Sequence, residues 1–166
     1  MVAYLIGSFL RAFVCRRQCD GQCKKRYLAR MFFGLRSEKN ADERLPMAST
    51  TKIMTALVAI EKCPLDRIVT ATSVSCGIEG SSIYMREGEK FTMEELLYAL
   101  LLASANDAAC LIAEEVAGDI PSFAEMMNSK AAELGLSDTH FSNPHGLDAD
   151  GHYTSAFDLA RLAAYA

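Results

Sequence analysis

Apolar residues set out the elements of this chain before any motif is considered. After Pro46, the residues Ile53, Met54, Leu57, Val58 and Glu61 recur with a helical period, which predicts a mostly buried helix starting at about Ser49. The stretch DRIVTATSV, residues 66–74, is rich in β-branched side chains and predicts a short extended piece. Gly77, Gly80 and Gly88 then punctuate a loop or small hairpin region up to residue 91.

Helical patterns dominate the rest. Thr92 with Glu95 makes a capping box ahead of LLYALLLA, a strongly apolar helix. A second helix is predicted from about Asp107 through Val116, stopped by Gly118. Ser122 with Glu125 repeats the capping pattern ahead of FAEMMNSKAAEL, which Gly135 ends. The stretch SDTHFSNPHGLDADGHY is turn-rich, with Asn143, Pro144, Gly146 and Gly151, and Ser155 with Asp158 opens a last helix. No internal repeat or low-complexity stretch interrupts this order.

Composition supports a globular chain: 166 residues, 51% apolar and 23% charged, long enough for one domain with a substantial core. A net charge of −4 gives no reason to propose nucleic acid as a partner. No apolar run approaches the roughly 20 residues that a membrane-spanning helix needs. The charge is nevertheless divided unevenly. Of the 17 basic residues, eight (Arg11, Arg16, Arg17, Lys24, Lys25, Arg26, Arg30, Arg36) fall in positions 1–36, with Asp20 the single acid there. Residues 37–166 keep nine basic residues against 20 acidic ones, so a basic N-terminal segment, 1–36, is set apart from the domain that follows.

That segment also holds Cys15, Cys19 and Cys23, spaced every fourth residue on one helical face. They lack the paired spacing and the accompanying histidine of common zinc patterns, so free thiols are expected rather than a metal site. MVAYLIGSFL has the length of a signal-peptide core, but no basic residue precedes it and no clear small-residue cleavage site follows. Cys63, Cys76 and Cys110 stand singly and are expected to pack as small apolar residues.

Candidate chemistry centres on PMASTTKIMTALVAIE, residues 46–61. Ser49 at a helix start is a favoured cap, and that is one reading of it. The other starts from Lys52, three residues on and on the same helical face, whose amine can reach the Ser49 hydroxyl. A helix N-terminus also favours negative charge developing at an attacked carbonyl. To act as a base Lys52 must be neutral, and its neighbours Met47, Ala48, Ile53 and Met54 are apolar enough to lower its pKa. The second candidate is LLASANDAA, where Ser104 and Asn106 follow a long apolar helix. Those two can be a satisfied turn; alternatively, Ser104 relays a proton between Lys52 and a leaving amine while the Asn106 amide holds a substrate's backbone.

STTK followed by SAN, with GIEGSSIYMREGE between them and NPHGLDADGHYTSAFDLARLA after them, resembles the serine D-alanyl-D-alanine carboxypeptidases, the low-molecular-weight penicillin-binding proteins. The resemblance covers nearly all of residues 38–166, with four blocks in order. Class A β-lactamases share the two short motifs but usually carry Asp where this chain has Ala105, and they lack the NPHGLD block. The resemblance implies that Ser49 is the acylated nucleophile, Lys52 its general base, and Ser104 with Asn106 the second wall of the cleft. It implies attack on the penultimate D-alanine carbonyl of a peptidoglycan stem peptide, release of the terminal D-alanine, and hydrolysis of the acyl-enzyme, with no metal or organic cofactor. β-Lactam antibiotics are then expected as covalent inhibitors, and the cell envelope, outside the cytoplasmic membrane, as the place of work. With lysine as base, His140, His145 and His152 are expected to be structural.

The implied fold is α+β, of the β-lactamase/transpeptidase type, here mostly its helical part with an incomplete antiparallel sheet. Three departures qualify the resemblance. No Lys-Thr-Gly or Lys-Ser-Gly, the family's third motif and its expected carboxylate binder, occurs in the sequence. The pattern breaks off inside the helix LARLAAYA, and residues 1–36 do not show the alternating strands that usually lead into the domain. The expectation is a C-terminally truncated member, for which a start read in another frame would account for residues 1–36. An active carboxypeptidase, a penicillin-binding remnant and a non-catalytic helical domain stay open. A helical cluster lacking its sheet is expected to be poorly soluble or partly molten.

Overall fold

The computed structural model describes residues 40–166, so the basic N-terminal segment, its three cysteines and its boundary with the domain lie outside the described residues. A 3-10 turn, Ala48–Thr51, runs straight into helix α1, Lys52–Lys62. This corrects the expected start, because Ser49 lies inside the turn and caps nothing. The residue before the turn is Met47, and no side chain caps it. Thr50 and Thr51 instead turn their hydroxyls back onto Met47 O (2.5 Å) and Ala48 O (2.8 Å), which tightens the chain into a 3-10 turn and leaves the Ser49 hydroxyl without a capping duty.

The β-branched stretch contributes only β1, Ile68–Thr70, paired antiparallel with β2, Lys90–Thr92, in the register Ile68 to Thr92, Val69 to Phe91 and Thr70 to Lys90. Thr92 ends β2 and caps α2, Met93–Leu102. Its hydroxyl accepts from Glu95 N (3.2 Å) while Glu95 Oε2 accepts from Thr92 N (2.7 Å), the capping box expected from the sequence. Helix α3, Asn106–Ala117, follows after three residues and stops at Gly118. Helix α4, Ile120–Glu133, starts earlier than Ser122: Asp119 is its cap, accepting from Ser122 N at 2.7 Å, with Pro121 in the first turn where a missing N–H costs nothing. The last helix, α5, Ala156–Tyr165, is capped by Ser155.

Helix α3 is the centre of the bundle, packed against α1, α2 and α4, while α1 also touches α5. The first eight residues of α3 are all buried, as are Lys52 to Ala56 at the start of α1. Ile53, Met54, Leu100, Ile112, Phe123 and Met127 are fully inaccessible, each such side chain contributing about 1.5–3 kcal/mol by leaving water. Lys52 belongs to the same set at 0% exposure, a buried cation position that lysines rarely occupy. Cys110 is also buried and Cys63 and Cys76 are half-buried against the core, all three as free thiols.

Two isolated bridges order this region, one tying the chain before α1 to the stretch 137–155 and one closing that stretch on itself. Leu45 and Thr154 exchange both backbone hydrogen bonds (2.9 and 3.0 Å), as do His140 and Tyr153. They bring the turn-rich stretch 137–155 beside the 3-10 turn. Asp158, in the first turn of α5, holds this stretch by accepting from Asp138 N (2.7 Å) and Thr139 Oγ1 (2.9 Å).

Candidate active site

Two side chains meet Ser49, one from a helix start and one from the turn between α2 and α3, and a third braces the first. Lys52 Nζ lies 3.3 Å from Ser49 Oγ, and Ser104 Oγ, from the α2–α3 turn, lies 3.0 Å from it on another side. Asn106, first residue of α3, places Oδ1 2.7 Å from Lys52 Nζ. The four residues singled out in the sequence therefore meet in one cluster.

The protonation chemistry of Lys52 follows from its neighbours. Besides Ser49, the amine meets Asn106 Oδ1 and the His145 carbonyl (2.6 Å). Both are carbonyl oxygens that can only accept, so a neutral amine keeps its two N–H bonds on them and turns its lone pair to the third neighbour. That neighbour is the Ser49 hydroxyl, the one group of the three with a proton to give. Burial lowers the Lys52 pKa to about 8. Cys110, as a thiolate, opposes this, but burial pushes its own thiol up to about 12, so it carries no charge at neutral pH. About a tenth of Lys52 is then neutral at pH 7.

Ser104 reaches Ser49 through an uncommon backbone. It ends α2 with φ +55°, the left-handed conformation that usually selects glycine or asparagine after a helix. A serine held there costs about 1–2 kcal/mol of backbone strain, which only its side chain can justify. Asn106 is fixed at both ends, since Oδ1 holds Lys52 and Nδ2 donates to Glu79 O (2.6 Å). One Nδ2 hydrogen is held by Glu79, which leaves the second as the donor that can meet a substrate backbone. Gly80 makes that approach possible, because a Cβ at position 80 would stand 2.8 Å from Asn106 Nδ2.

Several contributors carried no sequence signal of their own. Asp107 is fully buried, and its carboxylate accepts from Ser82 Oγ (2.5 Å), Ile83 N and Met85 N (both 3.3 Å), holding the 79–85 loop against the start of α3. The NPHG turn clamps the other side: Thr55 Oγ1 donates to Pro144 O (2.6 Å), Lys52 to His145 O, and Gly146 lies so close to Ala48 O that a Cβ would sit 2.0 Å from it. Only the spacing of GIEGSS and NPHG hinted at this packing.

The histidines serve structure. His140 Nδ1 donates to Gly151 O (2.7 Å) and its ring stacks on Tyr153, while His145 Nδ1 accepts from Leu147 N (3.2 Å). His152 Nδ1 accepts from Ser142 N (3.0 Å). Among the described residues no histidine side chain is hydrogen-bonded to Ser49, and no group of three or more His, Cys, Asp or Glu is arranged to hold a metal. Nor is any described helix long and apolar enough to cross a membrane.

Comparison with known proteins gives the chain its family and fold. The family described as D-alanyl-D-alanine carboxypeptidase matches residues 35–166. The D-alanyl-D-alanine carboxypeptidase DacF of Bacillus subtilis is 42% identical over 130 residues, covering 75% of this chain and 33% of its own length. DacC of Escherichia coli is 37% identical over 137 residues, 76% of this chain and 34% of that protein. Among solved structures, the carboxypeptidase DacD from Francisella tularensis superposes with a TM-score of 0.75 at 36% identity, over 78% of this chain and 33% of that one. The Streptomyces K15 DD-transpeptidase gives 0.72 at 34% identity, over 78% and 54%. The chain thus spans about a third of the length of these curated relatives and shares the transpeptidase-like fold with the solved structures. With the match running from residue 35 to residue 166, through the Ser49 turn, the Ser104 turn and the NPHG clamp, the chain belongs to the D-alanyl-D-alanine carboxypeptidase family.

Proposed function

We propose that this chain carries the acylating centre of a serine D-alanyl-D-alanine carboxypeptidase, which removes the terminal D-alanine of peptidoglycan stem peptides through an ester on Ser49. The observation that carries the proposal is the Ser49 hydroxyl between Lys52 Nζ and Ser104 Oγ, with burial holding Lys52 near neutrality. Neutral Lys52 takes the Ser49 proton as Oγ bonds to the penultimate D-alanine carbonyl carbon, whose oxygen becomes an oxyanion. As the oxyanion collapses and the C–N bond breaks, the proton passes from Lys52 through the Ser104 hydroxyl to the departing amine. Water then cleaves the ester by the same route in reverse. Asn106 holds Lys52 in place through Oδ1 and offers the second N–H of its amide to the substrate backbone while Glu79 keeps the first.

A β-lactam opens through the same attack, which makes these antibiotics covalent ligands of Ser49. The stem peptide places the work in the cell envelope, outside the cytoplasmic membrane. No organic or metal cofactor enters any step. A second reading is acylation by penicillin without turnover of peptide, which needs only the nucleophile, the base and the second hydroxyl that meet at Ser49. Intact mass after incubation with benzylpenicillin, on this chain and on Ser49→Ala, tests both. One whole penicillin added to the wild type and none to the variant is expected; a folded wild-type chain without adduct refutes both readings. Release of D-alanine from a peptide ending in D-Ala-D-Ala then separates the carboxypeptidase from the penicillin binder.

A further inference from the structure

The peptide bond before Ser49 is held by a hydrogen-bond chain that the acyl-transfer mechanism does not use. His152 is 6% exposed, with its ring edge-on to Phe141. Ser142 N–H can only donate, so His152 Nδ1, 3.0 Å away, is the acceptor and the neutral ring carries its proton on Nε2. That proton points to Thr51 Oγ1 at 2.8 Å. With its lone pair taken, Thr51 directs its own hydroxyl hydrogen to Ala48 O, also 2.8 Å away. Every donor in this series has one acceptor, and the direction runs one way, from Ser142 to Ala48.

The end of the chain is where strain is stored. Ala48 has φ +46°, a left-handed conformation that an alanine does not adopt unless its surroundings impose it. The backbone of Gly146 seats against the same carbonyl, and a side chain there would collide with both Ala48 O and Thr51 Oγ1. Because the peptide unit is planar and trans, fixing Ala48 C=O also fixes the Ser49 N–H on its opposite side. That N–H belongs to the residue whose Oγ attacks, and a preoriented amide donor is what a developing oxyanion requires.

We infer that His152 and Thr51 are positioning residues, which set the plane of the Ala48–Ser49 peptide and thereby aim the Ser49 N–H at the carbonyl under attack. The catalytic half of this inference rests on the function proposed above; the orientation of the peptide does not.

Two readouts test the two halves on the full chain. Long-range proton–nitrogen spectra of the histidine-labelled protein should show His152 neutral at pH 7 with its proton on Nε2, and the Ser49 amide resonance should shift in Thr51→Val but stay near the wild-type position in Thr51→Ser. Acylation by benzylpenicillin should slow by roughly 10- to 100-fold in Thr51→Val with the preceding non-covalent binding unchanged, and should recover to within about threefold in Thr51→Ser. If Thr51→Val does not fold, His152→Gln, which can still donate toward Thr51, is compared with His152→Asn, which cannot reach it; the first should acylate faster. A proton on Nδ1, or a Ser49 amide and acylation rate indifferent to the Thr51 hydroxyl, overturns the inference. A wild-type chain that is never acylated, yet whose Ser49 amide follows the Thr51 hydroxyl, refutes the proposed function and upholds the positioning.

Discussion

At the scale of single residues, the function proposed for Lys52 and Ser104 is set against a cost that each places on the fold. Moving an amine from its ordinary pKa of 10.5 down to about 8 costs the fold about 3 kcal/mol at neutral pH, since the unfolded chain holds the proton more tightly. In return, under the proposed function, the neutral form is accessible as the acceptor of the Ser49 proton. Acylation by benzylpenicillin should therefore rise about tenfold per pH unit from pH 6 and level off near pH 8, following Lys52. A rate flat from pH 6 to 9 would remove Lys52 as the base. Lys52→Arg, with a guanidinium that does not deprotonate, should abolish the adduct while leaving a folded chain. Ser104 shows the same exchange in its backbone, because glycine would accept φ +55° without penalty. Ser104→Gly should raise stability by about 1 kcal/mol in urea titration and slow acylation, whereas a gain in stability with no loss of rate would leave Ser104 outside the reaction.

At the scale of elements, the site depends on two loops pressed onto two helix starts. The 79–85 loop is fastened to α3 through Asn106 and Asp107, and the NPHG turn is fastened to α1 through Lys52, Thr55 and Gly146. Gly146→Ala must push its Cβ against Ala48 O from a backbone at φ +92°, so it should destabilise the chain by more than about 2 kcal/mol, read as a fall in the urea midpoint. An unchanged midpoint would mean that the turn can move away from Ala48. Helix existence was legible in the sequence because apolar spacing and caps are local: Thr92 with Glu95, Ser155 with Asp158, and Gly118 act where the pattern puts them. The start of α1 was misplaced because Thr50 and Thr51 compete for the backbone and tighten the turn, and the start of α4 because Asp119 accepts from Ser122 N, which puts Ser122 inside the helix rather than at its cap. Ser49, Lys52, Ser104 and Asn106 were legible as motifs. The anchors Asp107, Thr51, His152 and the Glu79 carbonyl were not, since their roles exist only once residues 22 to 101 positions apart meet.

At the scale of the whole molecule, the loop clamp links acidity to stability. Burial holds His145 and His152 to about 4, with Lys52 and His152 adding to the effect on His145, and with His140 adding to and Asp148 opposing the effect on His152. An unfolded chain carries both imidazoles near 6.5, so between pH 6.5 and 4 it binds protons at these positions that the folded chain refuses. Their contribution to stability is complete above pH 6.5 and is lost progressively as the pH falls through 4. A protonated His152 also turns Nδ1 into a donor facing the Ser142 N–H, so acid breaks the chain that ends at Ala48 O. Calorimetry from pH 6.5 down to 5, above the ordinary carboxylate range, should therefore show a falling unfolding midpoint. The fall should be shallower in His152→Gln, which has no proton to gain. Parallel slopes for wild type and variant would mean that His152 titrates alike in both states and that the clamp does not sense its charge.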